Sequence, residues 1–191
     1  DNGASWGELA PIPDSDPLLG MSITASGHII VSVFTKGMSV STDGGVTWER
    51  RNNGITNLHL RQNLVDKSGA VWVASEAGLY RSTNEGVQWV LKKAGGFYQV
   101  LMDSAGAIVT QDVSNIYRST NNGESWETIP DATIGLGVTH PSGDYYGANG
   151  LDGTLYRSTD HGATWTALTT PVTWGYGYGS TWASSRNGDL Y

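Results

Sequence analysis

Apolar and polar positions alternate along this chain in stretches too short for a helix. Leu64-Val-Asp-Lys-Ser-Gly69 runs into a polar turn, and Ala70-Val-Trp-Val-Ala-Ser75 resumes the apolar side. Gly78-Leu-Tyr-Arg81 follows, then a polar turn and a tryptophan. Period-two patterning over four to six residues, bounded by Gly, Ser, Asn and Asp, predicts short antiparallel strands joined by tight turns. The layout returns as Val100–Gly106, Ala107–Thr110 and Asn115–Arg118, and again as Val138–Gly143, Asp144–Gly147 and Thr154–Arg157. Trp72, flanked by Val71 and Val73, is predicted to lie in the core.

The turn before each tryptophan is itself repeated. Ser41-Thr-Asp-Gly-Gly-Val-Thr-Trp48, Ser82-Thr-Asn-Glu-Gly-Val-Gln-Trp89, Ser119-Thr-Asn-Asn-Gly-Glu-Ser-Trp126 and Ser158-Thr-Asp-His-Gly-Ala-Thr-Trp165 share one frame. Asp1-Asn-Gly-Ala-Ser-Trp6 is the same frame without its opening Ser-Thr. The five tryptophans stand 37 to 42 residues apart. A fixed period of this size marks a repeat architecture, and four short strands per period describe a propeller blade.

The repeated segment resembles the Asp box, or bacterial neuraminidase repeat, of sialidase-like propellers, written S-x-D-x-G-x-x-W. The resemblance spans the whole chain, one box per blade. It implies a propeller whose relatives include sialidases, xyloglucanases, sortilin-type receptors and a photosystem assembly factor, so it specifies architecture more than activity. Two boxes carry Asn84 and Asn121 where the family has Asp. An amide keeps the acceptor that a turn needs but could not act as a general acid or nucleophile. The boxes are therefore expected to be structural. Their glycines supply a positive φ and their tryptophans cover the turn.

Counting strands from the first box to Tyr191 gives twenty. The expectation is an all-β, five-bladed propeller of four-stranded antiparallel blades, one domain over residues 1–191. Its ring is closed by the N-terminal strand near Trp6 joining the last three strands, which removes two exposed edges. A fragment of a larger propeller, or a permuted or engineered chain without a native ligand, is the alternative that the cut inside a box leaves open.

Composition removes several functions. Eleven Lys and Arg against 18 Asp and Glu give a net charge of −7, so no basic footprint for nucleic acid or an anionic membrane is present. With no cysteine there is no disulfide framework and no thiolate centre. The longest apolar run, Ile29 to Phe34, is broken by Ser32, so neither a membrane span nor a signal peptide is expected. His28, His59, His140 and His161 show no metal-ligand spacing, and neither a metal nor another cofactor is expected. Gly3-Ala-Ser5-Trp-Gly7 has the letters of a nucleophile elbow, but it lies in a β-turn and not between strand and helix.

In an up-and-down meander successive turns alternate ends. The boxes and the first-to-second turns then share one face, and the inter-blade connections share the other with the second-to-third turns. That second face, with connections at 8–18, 51–60, 92–98, 130–134 and 169–175, is the candidate binding face. On it the ligand-binding candidates are Trp174, Tyr176 and Tyr178, set among glycines, then Phe97 and Tyr98 after Gly95-Gly96, with His59 and Arg61 as polar contributors. Glycoside hydrolysis would need two carboxylates flanking the bond. Asp66 and Asp103 occupy repeat positions, nothing selects a pair, and Arg81, Arg118 and Arg157 are repeat residues and not a substrate-carboxylate cluster. The expectation is a non-catalytic, monomeric binding or scaffold propeller for a glycan or protein, with a glycoside hydrolase as the alternative. A secreted or periplasmic location is implied by the resemblance alone.

Overall fold

The computed structural model describes residues 4–13, 16–130, 134–149 and 153–169. Regular structure among them is all strand. It falls into four antiparallel sheets of four, each in simple meander order. Contacts divide the chain into two compact units, Asp1–Gly96 and Phe97–Tyr191.

In the first unit, β1 (Leu18–Ile23), β2 (Ile29–Val33), β3 (Gly37–Ser41) and β4 (Glu49–Arg50) form blade 1. Blade 2 is β5 (Leu60–Val65), β6 (Val71–Ser75), β7 (Gly78–Ser82) and β8 (Val90–Ala94). The middle strands are buried except at Arg81 while β8 is largely exposed, so apolar runs mark strands covered on both faces. Ile30, Met38 and Val40 of blade 1 pack on Leu60, Val71, Val73, Tyr80 and Trp89 of blade 2. Trp72 is fully buried, as predicted, and its indole N–H donates to Asp66 at 2.8 Å.

In the second unit, blade 3 is β9 (Val100–Met102), β10 (Ile108–Gln111), β11 (Asn115–Ser119) and β12 (Glu127–Pro130). Blade 4 is β13 (Ile134–Thr139), β14 (Tyr145–Asn149), β15 (Leu155–Ser158) and β16 (Thr166–Ala167). Val109, Ile116 and Ile129 meet Leu136 and Tyr145 in the shared core.

Each box joins the third and fourth strands of its blade, and its opening serine is the hub. The Oγ atoms of Ser41, Ser82, Ser119 and Ser158 each accept the box glycine N–H at 2.8 Å. Each also donates to the side-chain oxygen two residues on, Asp43, Asn84, Asn121 or Asp160. Asp43 and Asp160 take the hydroxyls of Thr47 and Thr164 at 2.6 Å. Asn121 reverses that bond, its amide donating to Ser125 at 2.8 Å. Amide and carboxylate therefore build the same turn, which is the structural role expected for the boxes. Gly45, at φ 91°, lies where a Cβ would come within 2.8 Å of Leu9. Trp89 ties blade 2 to blade 1 by donating to Arg51 O, and Trp48 ties blade 1 to the segment before it by donating to Ala10 O, each 38 residues back.

The predicted fifth blade, and the meeting of Tyr191 with Asp1, lie outside the described residues.

The carboxylate boxes carry an acid dependence that the amide boxes lack. The Thr47 hydroxyl and N–H, with Ser41, hold the Asp43 carboxyl at about 2 instead of 3.8. Thr164 and Ser158 do the same for Asp160, again to about 2. A carboxyl lowered in the folded state stabilises it above the unfolded value, and that contribution is lost as pH falls through the folded one. The urea midpoint should thus fall between about pH 4 and pH 2. Asp43→Asn with Asp160→Asn should flatten that fall; an unchanged slope would mean that the boxes play no part in it.

Candidate functional site

On the face opposite the boxes, the first unit gathers four side chains. Leu60 pairs with Ser75, so the residues just beyond the pair, His59 and Glu76, adjoin at the strand ends, where His59 O accepts the Glu76 N–H. The β5–β6 register slips between Leu60 and Asn63, a bulge that re-aims Arg61. His59 Nδ1 lies 2.8 Å from Glu76 Oε2, and Arg61 Nη2 donates to Glu76 Oε1 at 2.6 Å. Phe34, at the end of β2, lies beneath: the Arg61 guanidinium is 5.0 Å from its ring centroid and the His59 ring 5.2 Å. The hydrogen bonds from His59, then Arg61, hold the Glu76 carboxyl below its usual range. Beside Phe34, Thr35 adopts φ 62°, unusual for a β-branched residue, and its hydroxyl donates to Asp16.

In the second unit the face opposite its own boxes carries a groove of about 250 Å³. It is lined by Tyr98 and Val113, both well exposed, and by Gly135 and Leu136 of β13, the Leu136 side chain being buried in the blade 3–blade 4 core. Gln99 and Gln111 lie along it with their amides turned to β13. Gln111 donates to Ile134 O at 3.0 Å and accepts the Leu136 N–H at 2.7 Å, while Gln99 donates to Leu136 O.

His59 and Arg61 are thus brought together, and Tyr98 is exposed beside a groove. Phe97 corrects the expectation made for it. It is only 1% exposed and meets the Tyr117 ring edge-on at 5.9 Å, so it is a core residue and offers no open face. The glycines before it turn Tyr98 outward and Phe97 in. Trp174, Tyr176 and Tyr178 lie outside the described residues. Phe34 and Glu76 were not singled out from sequence; both flank second-to-third turns, the one available signal. Among the described residues no group of His, Asp and Glu could hold a metal ion.

The buried carboxylates belong to the box face. Asp66 accepts from Ser68, Ala70 and Trp72. Asp103 accepts from Ala107, Arg118 and Tyr145. Asp144 accepts from Arg157. Burial pushes all three up, yet these donors outweigh it and each carboxyl is lowered.

The family model for the BNR/Asp-box repeat matches residues 39–50 and 156–167. The chain carries BNR/Asp-box repeats. The two matched segments are Asp boxes with a carboxylate at the third position; the boxes of Asn84 and Asn121 fall outside the match although the same serine-centred hydrogen bonds build them. No curated protein matches the chain by sequence. Among solved structures it is similar to YCF48 from Cyanidioschyzon merolae, at 16% identity and a TM-score of 0.65, covering 86% of this chain and 60% of that one. It is similar to YCF48 bound to D1 peptide, at 17% identity and 0.63, covering 88% and 60%. It is also similar to the GH74 xyloglucanase from Xanthomonas campestris, at 16% identity and 0.68, covering 89% and 27%. The chain therefore spans less than two thirds of each of these relatives. At such identities the likeness shows the β-propeller fold, with Asp-box blades, and nothing further.

Proposed function

We propose that the chain is a non-catalytic recognition module that binds an extended partner, peptide or glycan, across the face opposite its Asp boxes. The observation that carries this is the Phe34, His59, Arg61 and Glu76 cluster. It draws an aromatic shelf and a charged trio from two blades to one exposed place, and no Asp box needs any of them. An arginine stacked on an aromatic ring presents a flat cationic surface with fixed donors, which suits recognition more than turnover. A glycosidase acid needs a raised carboxyl; the buried carboxylates described above are lowered and face the boxes. The likeness to YCF48, one structure of which is bound to a peptide, supports the same reading.

A peptide and glycan array probed with the intact chain tests it. Binding to at least one class, weakened tenfold or more by Arg61→Ala at an unchanged urea midpoint, is the expected result. Turnover of an aryl glycoside, abolished by a single Asp→Asn substitution, would overturn it. The closed five-bladed ring, a monomeric state and an exported location go with this reading as proposals. Light scattering giving the mass of one chain checks the second.

A further inference from the structure

Five Asn-Gly steps lie along the chain, and the described residues contain two of them whole, Asn53-Gly54 and Asn122-Gly123. Such a step can close on itself. The backbone nitrogen after the asparagine attacks the side-chain amide, and glycine offers no Cβ to hinder it. In a folded chain the attacking N–H must be free to lose its proton. The two steps differ sharply here. Gly123 is buried in the blade 3 box, where its N–H donates to Ser119 Oγ at 2.8 Å, and Asn122 before it is held at φ 60°. Breaking that bond would strand a buried hydroxyl. Asn53 and Gly54 are both exposed, on the connection from blade 1 to blade 2, and a cleft of about 180 Å³ lets water reach Asn53. They are the central pair of a β-turn closed by the Ile55 N–H on Asn52 O at 2.9 Å, with Gly54 at φ 94°. A turn of this kind makes no use of its central N–H, and among the described residues no acceptor takes that of Gly54. The Asn53 amide donates to Gln88 Oε1 at 2.6 Å, an exposed bond that holds the nitrogen to be expelled and not the carbon to be attacked.

We infer that Asn53-Gly54 is a self-modification site, converted through a succinimide to aspartate and isoaspartate, while its box protects Asn122-Gly123. Gly54 N bonds to Asn53 Cγ, the Cγ–Nδ2 bond breaks, and ammonia leaves, carrying the proton that Gly54 gave up. Water then opens the ring at either carbonyl. Cleavage at Cγ gives aspartate; cleavage at the Asn53 backbone carbonyl gives isoaspartate, with one more carbon in the main chain. Both products carry a new negative charge. The longer chain strikes the joint between blades 1 and 2. Asn53 O accepts the Trp89 N–H at 2.9 Å, and in isoaspartate that carbonyl becomes a free carboxylate outside the main chain. Gly54 lies so close to Trp89 O that a Cβ would come within 2.2 Å, so the turn has no slack for an added atom.

The test ages the intact chain in mildly alkaline buffer, folded and in urea, and maps the conversion by peptide mass spectrometry with an isoaspartyl methyltransferase assay. In the folded chain Asn53 should convert at least tenfold faster than Asn122, and in urea the two rates should come within about threefold. Ser119→Ala removes the acceptor of the Gly123 N–H and should speed Asn122 in the folded chain; if that variant does not fold, the comparison with urea carries the test. Asn122 keeping pace with Asn53 in the folded chain overturns the proposal. So does a difference that persists in urea, which would place its cause in the neighbouring letters and not in the fold. Asn53→Gln cannot close the five-membered ring. The urea midpoint of the aged parent should therefore fall further than that of aged Asn53→Gln, and an equal fall would overturn the effect on the blade 1–blade 2 joint.

Discussion

Asp103→Ala is expected to destabilise the second unit by about 3–5 kcal/mol, the usual cost of orphaning one partner of a buried ion pair. The Asp103 side chain is 1% exposed, and four donors converge on it. Oδ1 accepts the Ala107 N–H at 2.9 Å, which shapes the β9–β10 turn. Oδ2 accepts Nε and Nη2 of Arg118, both at 3.0 Å, and the Tyr145 hydroxyl of the next blade at 3.1 Å. Removing the carboxylate strands a cation that is itself 13% exposed, and a phenol in the blade 3–blade 4 core. Tyr145→Phe deletes only one of the four bonds and should cost about 1 kcal/mol. Burial first, then the Asp103 charge, raises the Tyr145 hydroxyl, so it stays a donor at any working pH. Equilibrium urea unfolding followed by tryptophan fluorescence gives both numbers. Equal losses for the two variants would show that the Arg118 pair contributes nothing and that the tyrosine bond is the whole effect.

Asp103 also shows which parts of the fold the letters reveal. Asp66 and Asp103, with Arg81, Arg118 and Arg157, were visible as repeat positions, because each blade needs the same turn and the same clamp. The pairing was not visible, since strand register brings an arginine one hairpin away onto its aspartate. In blade 4 the letters mislead. His140 stands where Asp66 and Asp103 stand, and Arg157 pairs with Asp144 instead, at 2.6 Å. The Asp boxes were legible as turns through the acceptors Asp43 and Asn84, while the buried serine before them carries the glycine N–H. The face opposite the boxes was legible from meander alternation, and the place of His59, Arg61 and Tyr98 on it. Phe34 and Glu76 were not, because the cluster arises where two blades abut and a bulge redirects Arg61. Phe97 was misjudged for a related reason. Two glycines signal a turn, but not which of the following two aromatics enters the core.

Gln111 carries the second large effect, and nothing in its sequence neighbourhood announces it. Its side chain stands where a further strand would pair with β13, donating to Ile134 O and accepting the Leu136 N–H as a backbone amide would. Gln111→Leu keeps the volume but leaves one buried N–H and one buried C=O without partners. At about 1–3 kcal/mol for each such group, the expected loss is about 2–6 kcal/mol in urea unfolding. Gln111→Glu separates hydrogen bonding from packing. Ionised, it still accepts from Leu136 but sets a carboxylate oxygen against Ile134 O; protonated, its O–H restores the missing donor. Its carboxyl must therefore be raised in the folded state, so the stability it supports is complete below the unfolded value of about 4.3 and lost as pH rises through the folded one. Measured against the parent chain at each pH, Gln111→Glu should approach parent stability near pH 4 and fall toward Gln111→Leu near pH 7. A deficit independent of pH would mean that this amide serves as filler and that the β13 edge is satisfied by other groups.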